Sequence, residues 1–236
     1  MTIAPTRLPH GHVPRTLVLA LGLLVAATAI VLAVRGIHTG STSKLHGSGV
    51  AATSTRRTGS FTAVELAGGN GVFVHVGGAR AVSIHGDANL LRYVTTTVRH
   101  ATLVVGQTRS FETRARMSVD VTVPALDAVT LSGAGTVVVD GVSADSFSAT
   151  APGAGTLVVS GRAATLDATL AGAGMLRLEG LVARDATATV SGAGTLRLTA
   201  TRRLDATVSG VGSIVYGGSP PVVTTIVSGT GSIAPG

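Results

Sequence analysis

Asp167 and Asp205 are where chemistry would have to begin. Each stands five residues before the first glycine of a Gly-x-Gly turn, two repeats apart. In stacked strands spaced about 4.8 Å apart, two carboxylates two layers apart are separated by roughly 9.6 Å. That is near the upper end of the spacing between the acid and the base of an inverting glycosidase. Against this, no histidine or third carboxylate shares their slot, which reads Ser148, Asp167, Thr187, Asp205, Thr224. The chain has only six aromatic residues (Phe61, Phe73, Tyr93, Phe111, Phe147, Tyr216) and no Trp to hold a sugar. Solvated surface carboxylates are the plainer reading.

Three residues before the first glycines runs a second candidate: Thr130, Thr150, Thr169, Thr189 and Thr207. Stacked β-branched hydroxyls suit an exposed strand face. The same regular spacing would also make a ladder for surface contact, or for ice, although the two aspartates break the slot beside it. His75 and His85 fall on successive strands, but two histidines without a carboxylate make a poor metal site. Arg177 and Arg197 hold the same place in adjacent repeats, where like charges repel and an anion or surface contact is conceivable. There is no cysteine, which excludes disulfides, thiolate metal sites and cysteine catalysis. No cofactor is expected.

What positions these residues is a repeat. Gly-x-Gly turns occur at Gly133 and Gly135, Gly153 and Gly155, Gly172 and Gly174, Gly192 and Gly194, Gly210 and Gly212, and Gly229 and Gly231. Their steps are 20, 19, 20, 18 and 19 residues. None has the Lys-Ser/Thr ending of a phosphate loop or the third glycine of a dinucleotide fingerprint, and none has the Asp of a calcium repeat. They read as corner turns with positive φ.

Alternate residues before the turns are apolar, as in Leu166-Ala168-Leu170 and Ala186-Ala188-Val190, with Thr225 the exception between Val223 and Val227. Alternation resumes after it, as in Val137 and Val139, or Leu196 and Leu198. This period of two on both sides of a glycine turn predicts strand, turn, strand with one face buried. A unit this short must stack on its neighbours, which makes an all-β parallel solenoid; a β-sandwich is the alternative. Residues 60–236 would hold roughly nine coils over about 43 Å. Residues 61–131 would be the opening coils, and Pro220, Pro221 and Pro235 would discourage further strand addition at the far end.

GDANLLRYVTTTV at 86–98, VTVPALDAVTLSGAG at 121–135, and the SGAG turns running to SGVGSIVYGG at 209–218 resemble the putative auto-transporter adhesin, head GIN domain family. The likeness covers about residues 61–233, with Pro152 standing where the usual turn serine is missing. It implies a right-handed β-helix in a bacterial envelope protein, and adhesion by name. It carries over no catalytic mechanism, ligand or site.

The N-terminal region reads as targeting. After a basic segment, 1–15, residues 16–34 form an uncharged run of 19 residues, long enough to span a bilayer. Arg7 and Arg15 before it favour a cytoplasmic N-terminus. A cleaved signal peptide ending at Ala27-Thr28-Ala29 is the rival reading. Residues 35–59, rich in Gly, Ser and Thr, read as a flexible tether.

The net charge of +7 sits mainly outside the repeats, because residues 132–236 hold six basic and six acidic side chains. With one lysine and no aromatic platforms, nucleic-acid binding is not indicated. The sequence therefore predicts a membrane-anchored domain, periplasmic or extracellular, acting as a non-enzymatic structural or adhesion module toward a cell-surface glycan or envelope protein. A polysaccharide-active enzyme using Asp167 and Asp205, and an extracytoplasmic sensor, are the alternatives.

Overall fold

The computed structural model describes residues 44–113 and 115–236, and Lys44–Gly236 form one compact unit. The segment 16–34 lies outside the described residues. Among those described, no helix is long and apolar enough to cross a membrane.

The described chain begins with β1 (Leu45–His46), β2 (Ala51–Arg56), β3 (Ala63–Leu66), β4 (Gly71–Val76) and β5 (Ala81–Asp87). One 3-10 turn, Leu91–Tyr93, leads into β6 (Val94–Arg99), β7 (Thr102–Gln107), β8 (Phe111–Glu112), β9 (Ser118–Val123) and β10 (Ala128–Leu131). Four long strands follow: β11 (Thr136–Ala151), β12 (Thr156–Leu170), β13 (Met175–Val190) and β14 (Thr195–Val208). The last are β15 (Ser213–Gly217), β16 (Val222–Val227) and β17 (Ser232–Pro235).

From β10 onward the chain is the expected solenoid. Each strand pairs in parallel with its equivalent one repeat later, as in Leu166↔Ala186↔Leu204 before the turn and Leu157↔Leu176↔Leu196 after it. These inward residues are buried, so every layer adds a narrow row of Leu, Val and Ala to one continuous core. Five successive coils run between Gly133 and Gly229, against roughly nine expected over 60–236, because the chain before β10 does not stack in sequence order.

That earlier part departs most from expectation. β3 lies between β7 and β10, and β4 lies between β9 and β11. The chain thus lays down an inner layer first, doubles back to build the layer beneath it, then crosses to continue above. The doubling back uses antiparallel pairs, β6 on β7 and β5 on β9. Parallel pairing in register requires a full coil between partners, whereas antiparallel strands can follow through a tight connection.

Part of the expected tether is folded. β1 pairs with β8, and β2 lies antiparallel on β5. The buried carboxylate of Asp87 ties these segments together. It accepts hydrogen bonds from the Gly49 N–H (2.6 Å), the Thr113 hydroxyl (2.7 Å) and the Ala115 N–H (3.1 Å). The composition of 44–56 resembles a linker because β2 is an edge strand with little apolar surface to bury.

The turn glycines are needed for a different reason from the expected one. None of the twelve has positive φ. A Cβ on Gly153 would lie 2.1 Å from the Gly133 carbonyl oxygen, and one on Gly155 would lie 2.0 Å from that of Gly135. The second glycines keep this relationship to the end of the stack. A Cβ on Gly174 would strike the Gly155 carbonyl oxygen, one on Gly194 that of Gly174, one on Gly212 that of Gly194, and one on Gly231 that of Gly212. The first glycines, Gly172, Gly192, Gly210 and Gly229, are blocked in the same way by the first glycine of the coil before. The turns stack backbone on backbone, with no room for a side chain. Positive φ occurs instead at the opposite corner, at Gly141 (77°) and Gly161 (135°), where the register slips as each long strand bends from one sheet into the other.

At the far end, β16 is covered by β14 on one side alone, and the inward-facing Val223 and Val227 are exposed. Pro220 and Pro221 precede β16 and Pro235 ends β17, so no proline interrupts β16 itself.

Candidate contact face

β10 to β14 place the threonine ladder in unbroken register: Thr130↔Thr150, Thr150↔Thr169, Thr169↔Thr189 and Thr189↔Thr207. All five are half-buried. The ladder is bounded by Glu65, which pairs with Thr130, and by Ile226, which pairs with Thr207. Its existence follows from coil length alone. Once the turn glycines are superposed, residues at a fixed offset from them lie in one line.

Asp167 and Asp205 also fall in one column, with Thr187 between them. Their surroundings argue against acid–base chemistry. The Arg203 guanidinium grips Asp205 at two points (Nε to Oδ2 2.8 Å, Nη2 to Oδ1 3.3 Å), and its hydrogen bonds hold the carboxyl below the usual range. Partial burial opposes that shift, and a hydrogen bond with Thr224 adds to it. A glycosidase acid needs the opposite, a carboxyl raised toward neutrality. Asp167 is exposed and accepts only a long 3.5 Å contact from the Thr169 hydroxyl.

A neighbouring cluster escaped the sequence reading. Asp185 pairs in register with Arg203, takes a two-point hydrogen bond from Arg202, and lies 3.7 Å from Arg184. The hydrogen bonds from Arg202 come first in holding its carboxyl low, with the charges of Arg202, Arg184 and Arg203 behind them and partial burial opposing. The signal was present in the pairing of Arg184-Asp185 with Arg202-Arg203 one repeat later, but it requires knowing the register.

Arg177 and Arg197 do stack in adjacent coils. Their repulsion is eased because Arg177 pairs with Glu179 in its own strand (3.3 Å), and valines flank the pair at 158 and 215. His75 and His85 do not meet, since β9 separates their strands. Each finds a carboxylate of its own: His75 with Asp140 at 2.5 Å and His85 with Asp120 at 3.0 Å. No cluster of three or more metal-ligating side chains occurs among the described residues. The face can therefore offer aligned hydroxyls and paired charges along one continuous run of paired strands, which is the chemistry of contact.

A family model described as "Putative auto-transporter adhesin, head GIN domain" matches residues 60–220. Among curated proteins, none matches this sequence. Among solved structures, a putative adhesin from Bacteroides fragilis has a TM-score of 0.66 at 22% identity, covering 81% of this chain and 99% of that one. A putative lipid binding protein from Parabacteroides distasonis has a TM-score of 0.53 at 19% identity, covering 82% and 100%. A putative adhesin from Parabacteroides merdae has a TM-score of 0.50 at 18% identity, covering 82% and 99%. At these identities the likeness is one of fold.

Proposed function

This chain belongs to the head GIN domain family of putative auto-transporter adhesins, and from that premise we propose that it is a non-enzymatic adhesion module of the bacterial cell envelope. The observation that carries the reading is the continuous threonine ladder, Thr130 to Thr207, on a sheet with ion-paired neighbours. A flat, regular, hydroxyl-bearing surface suits a repetitive partner such as a cell-surface glycan. Its affinity would come from many weak contacts in parallel rather than from one pocket.

Anchoring belongs to the same proposal and rests on the sequence. The uncharged run 16–34 would hold the domain at the membrane with the solenoid outside the cytoplasm. The right-handed winding implied by the family resemblance is part of this reading. Nothing in the arrangement of Asp167 and Asp205 favours the enzyme, because Asp205 is committed to Arg203.

The test is a glycan-binding screen of the full chain in neutral detergent, beside an Asp167→Asn/Asp205→Asn variant and a Thr150→Lys/Thr189→Lys variant. The proposal expects binding that the Asn variant keeps and the Lys variant loses at least tenfold. Polysaccharide turnover abolished by the Asn variant would make the protein an enzyme.

A further inference from the structure

The end of the stack formed by β2 and β6 is built unlike the rest. Among the described residues both are edge strands, with β2 paired only to β5 and β6 only to β7. Core-facing positions here carry polar side chains. On β2, Ser54 and Arg56 stand opposite the buried Ile84 and Val82, and on β6 Thr96 stands opposite the buried Val105. An inward charge on an edge strand discourages further pairing, and that accounts for Arg56, whose guanidinium donates to the Leu91 carbonyl at 3.0 Å.

It does not account for Arg57 and Arg92. These two join Arg56 around one open depression of about 370 Å³, whose walls also include Thr95, Thr96 and Thr97. No carboxylate lines it. None of the three arginines has a carboxylate partner among the described residues, whereas Arg177, Arg184, Arg202 and Arg203 each have one. Arg92 is steadied by the Tyr93 ring, with its guanidinium carbon 5.1 Å from the ring centroid. Three like charges gathered in one concavity repel one another unless an anion joins them.

We propose that this depression is a binding site for a phosphate group, as a monoester or diester. Guanidinium forks match phosphate oxygens in pairs, and threonine hydroxyls supply further donors. Arg56 is pre-positioned by its bond to Leu91, and Arg57 and Arg92 close on the ligand from just past the end of β2 and from the 3-10 turn. A phosphate monoester presents three terminal oxygens to three forks where a carboxylate presents two; a diester presents two terminal oxygens with its ester oxygens beside them as further acceptors. Lipid headgroups and free phosphate compounds share this chemistry. The site is independent of the threonine face and of the adhesion reading.

The experiment follows thermal unfolding of the full chain in neutral detergent, in sodium phosphate and in sodium chloride of equal ionic strength. Phosphate at tenfold its dissociation constant should raise Tm by roughly 3–6 °C over chloride. An Arg57→Gln/Arg92→Gln variant, which keeps the Arg56 bond, should lose that rise. An Arg57→Lys/Arg92→Lys variant should keep part of it, and reads the site even if the Gln variant folds poorly. In lipid nanodiscs, slowed amide exchange at Thr95–Thr97 with phosphatidylglycerol but not with phosphatidylcholine identifies a lipid source. Slowing by soluble phosphate alone identifies a free one. An equal rise in native and variant proteins, or no rise over chloride, overturns the proposal.

Discussion

A Cβ on Gly192 would lie 1.9 Å from the carbonyl oxygen of Gly172 in the coil before it. The same closeness recurs from turn to turn up the stack. Gly192→Ala forces two backbones apart with no flexible side chain to yield. The expected loss is about 1–3 kcal/mol, the usual cost of overpacking, or roughly 2–4 °C of Tm for each kcal/mol in a domain of this size. Gly59→Ala, with nothing within 4 Å of the added carbon, is the control and should leave Tm unchanged.

Asn70 and Gly135 make a sharper comparison. They hold equivalent places in adjacent turns, since a Cβ on Gly135 would lie 2.2 Å from the Asn70 carbonyl oxygen. Asn70 is buried and its Nδ2 has no hydrogen-bond partner among the described residues. Asn70→Gly removes an orphaned donor, which usually costs about 1–3 kcal/mol, and should leave stability level or raised. Gly135→Asn should lower it. Chemical denaturation of both variants decides the matter, and a fall in Asn70→Gly would mean that the side chain has an unseen partner.

Asp87→Ala should loosen the amino-terminal edge before it unfolds the solenoid. The change removes the acceptor shared by the Gly49 and Ala115 amides and the Thr113 hydroxyl; Gly49 and Thr113 are exposed and can turn to water, so the expected loss is about 1–3 kcal/mol in all. Limited proteolysis should then cut between residues 44 and 60 while the coils beyond 128 stay protected. Uniform digestion of both regions would show that the carboxylate supports the whole fold rather than this edge.

Asp185 and Asp205 give the domain a lower limit in pH. Arginine partners depress both carboxyls. A depressed folded-state value stabilises the protein above the ordinary unfolded value near pH 3.9, and that contribution is lost as pH falls through the lowered folded value. Tm should therefore be insensitive to these groups at neutral pH and should fall below about pH 4. In Arg202→Gln, the NMR titration midpoint of Asp185 should move up toward that of a free aspartate. An unmoved midpoint would show that the ion pair does not persist in solution.

The repeated half of the fold was legible because its code is local. Alternation and a fixed step are enough to infer inward rows such as Leu166-Ala168-Leu170, and a constant offset from the glycines yields the threonine ladder. The first half was illegible for the complementary reason. Nothing in Ala63–Leu66 states that its neighbours are residues 102–105 and 128–131. The glycines themselves were recognised, but their cause was misassigned, because crowding by another coil leaves the same residue type as a positive φ does. Gly174 and Gly194, for instance, face each other across adjacent coils, and no local pattern distinguishes that from a left-handed corner. The Asp185 cluster and the arginine-lined depression were hidden because each draws on segments far apart in the chain.

The inverted order of the first layers has a consequence in time. Within the regular coils, partners such as Thr165 and Asp145 are 20 residues apart, whereas Ser132 reaches back 67 residues to Glu65. Closing the longer loop costs roughly 1 kcal/mol more in chain entropy, before any neighbouring layer exists to offset it. A ribosome delivers β3 and β4 before either flank of that layer: the β7 and β9 side is complete at residue 123, and the β10 and β11 side only at residue 140. The chain up to β11 is therefore the slow, committing step of assembly, and every later coil adds onto a finished template in a fast sequence of short closures.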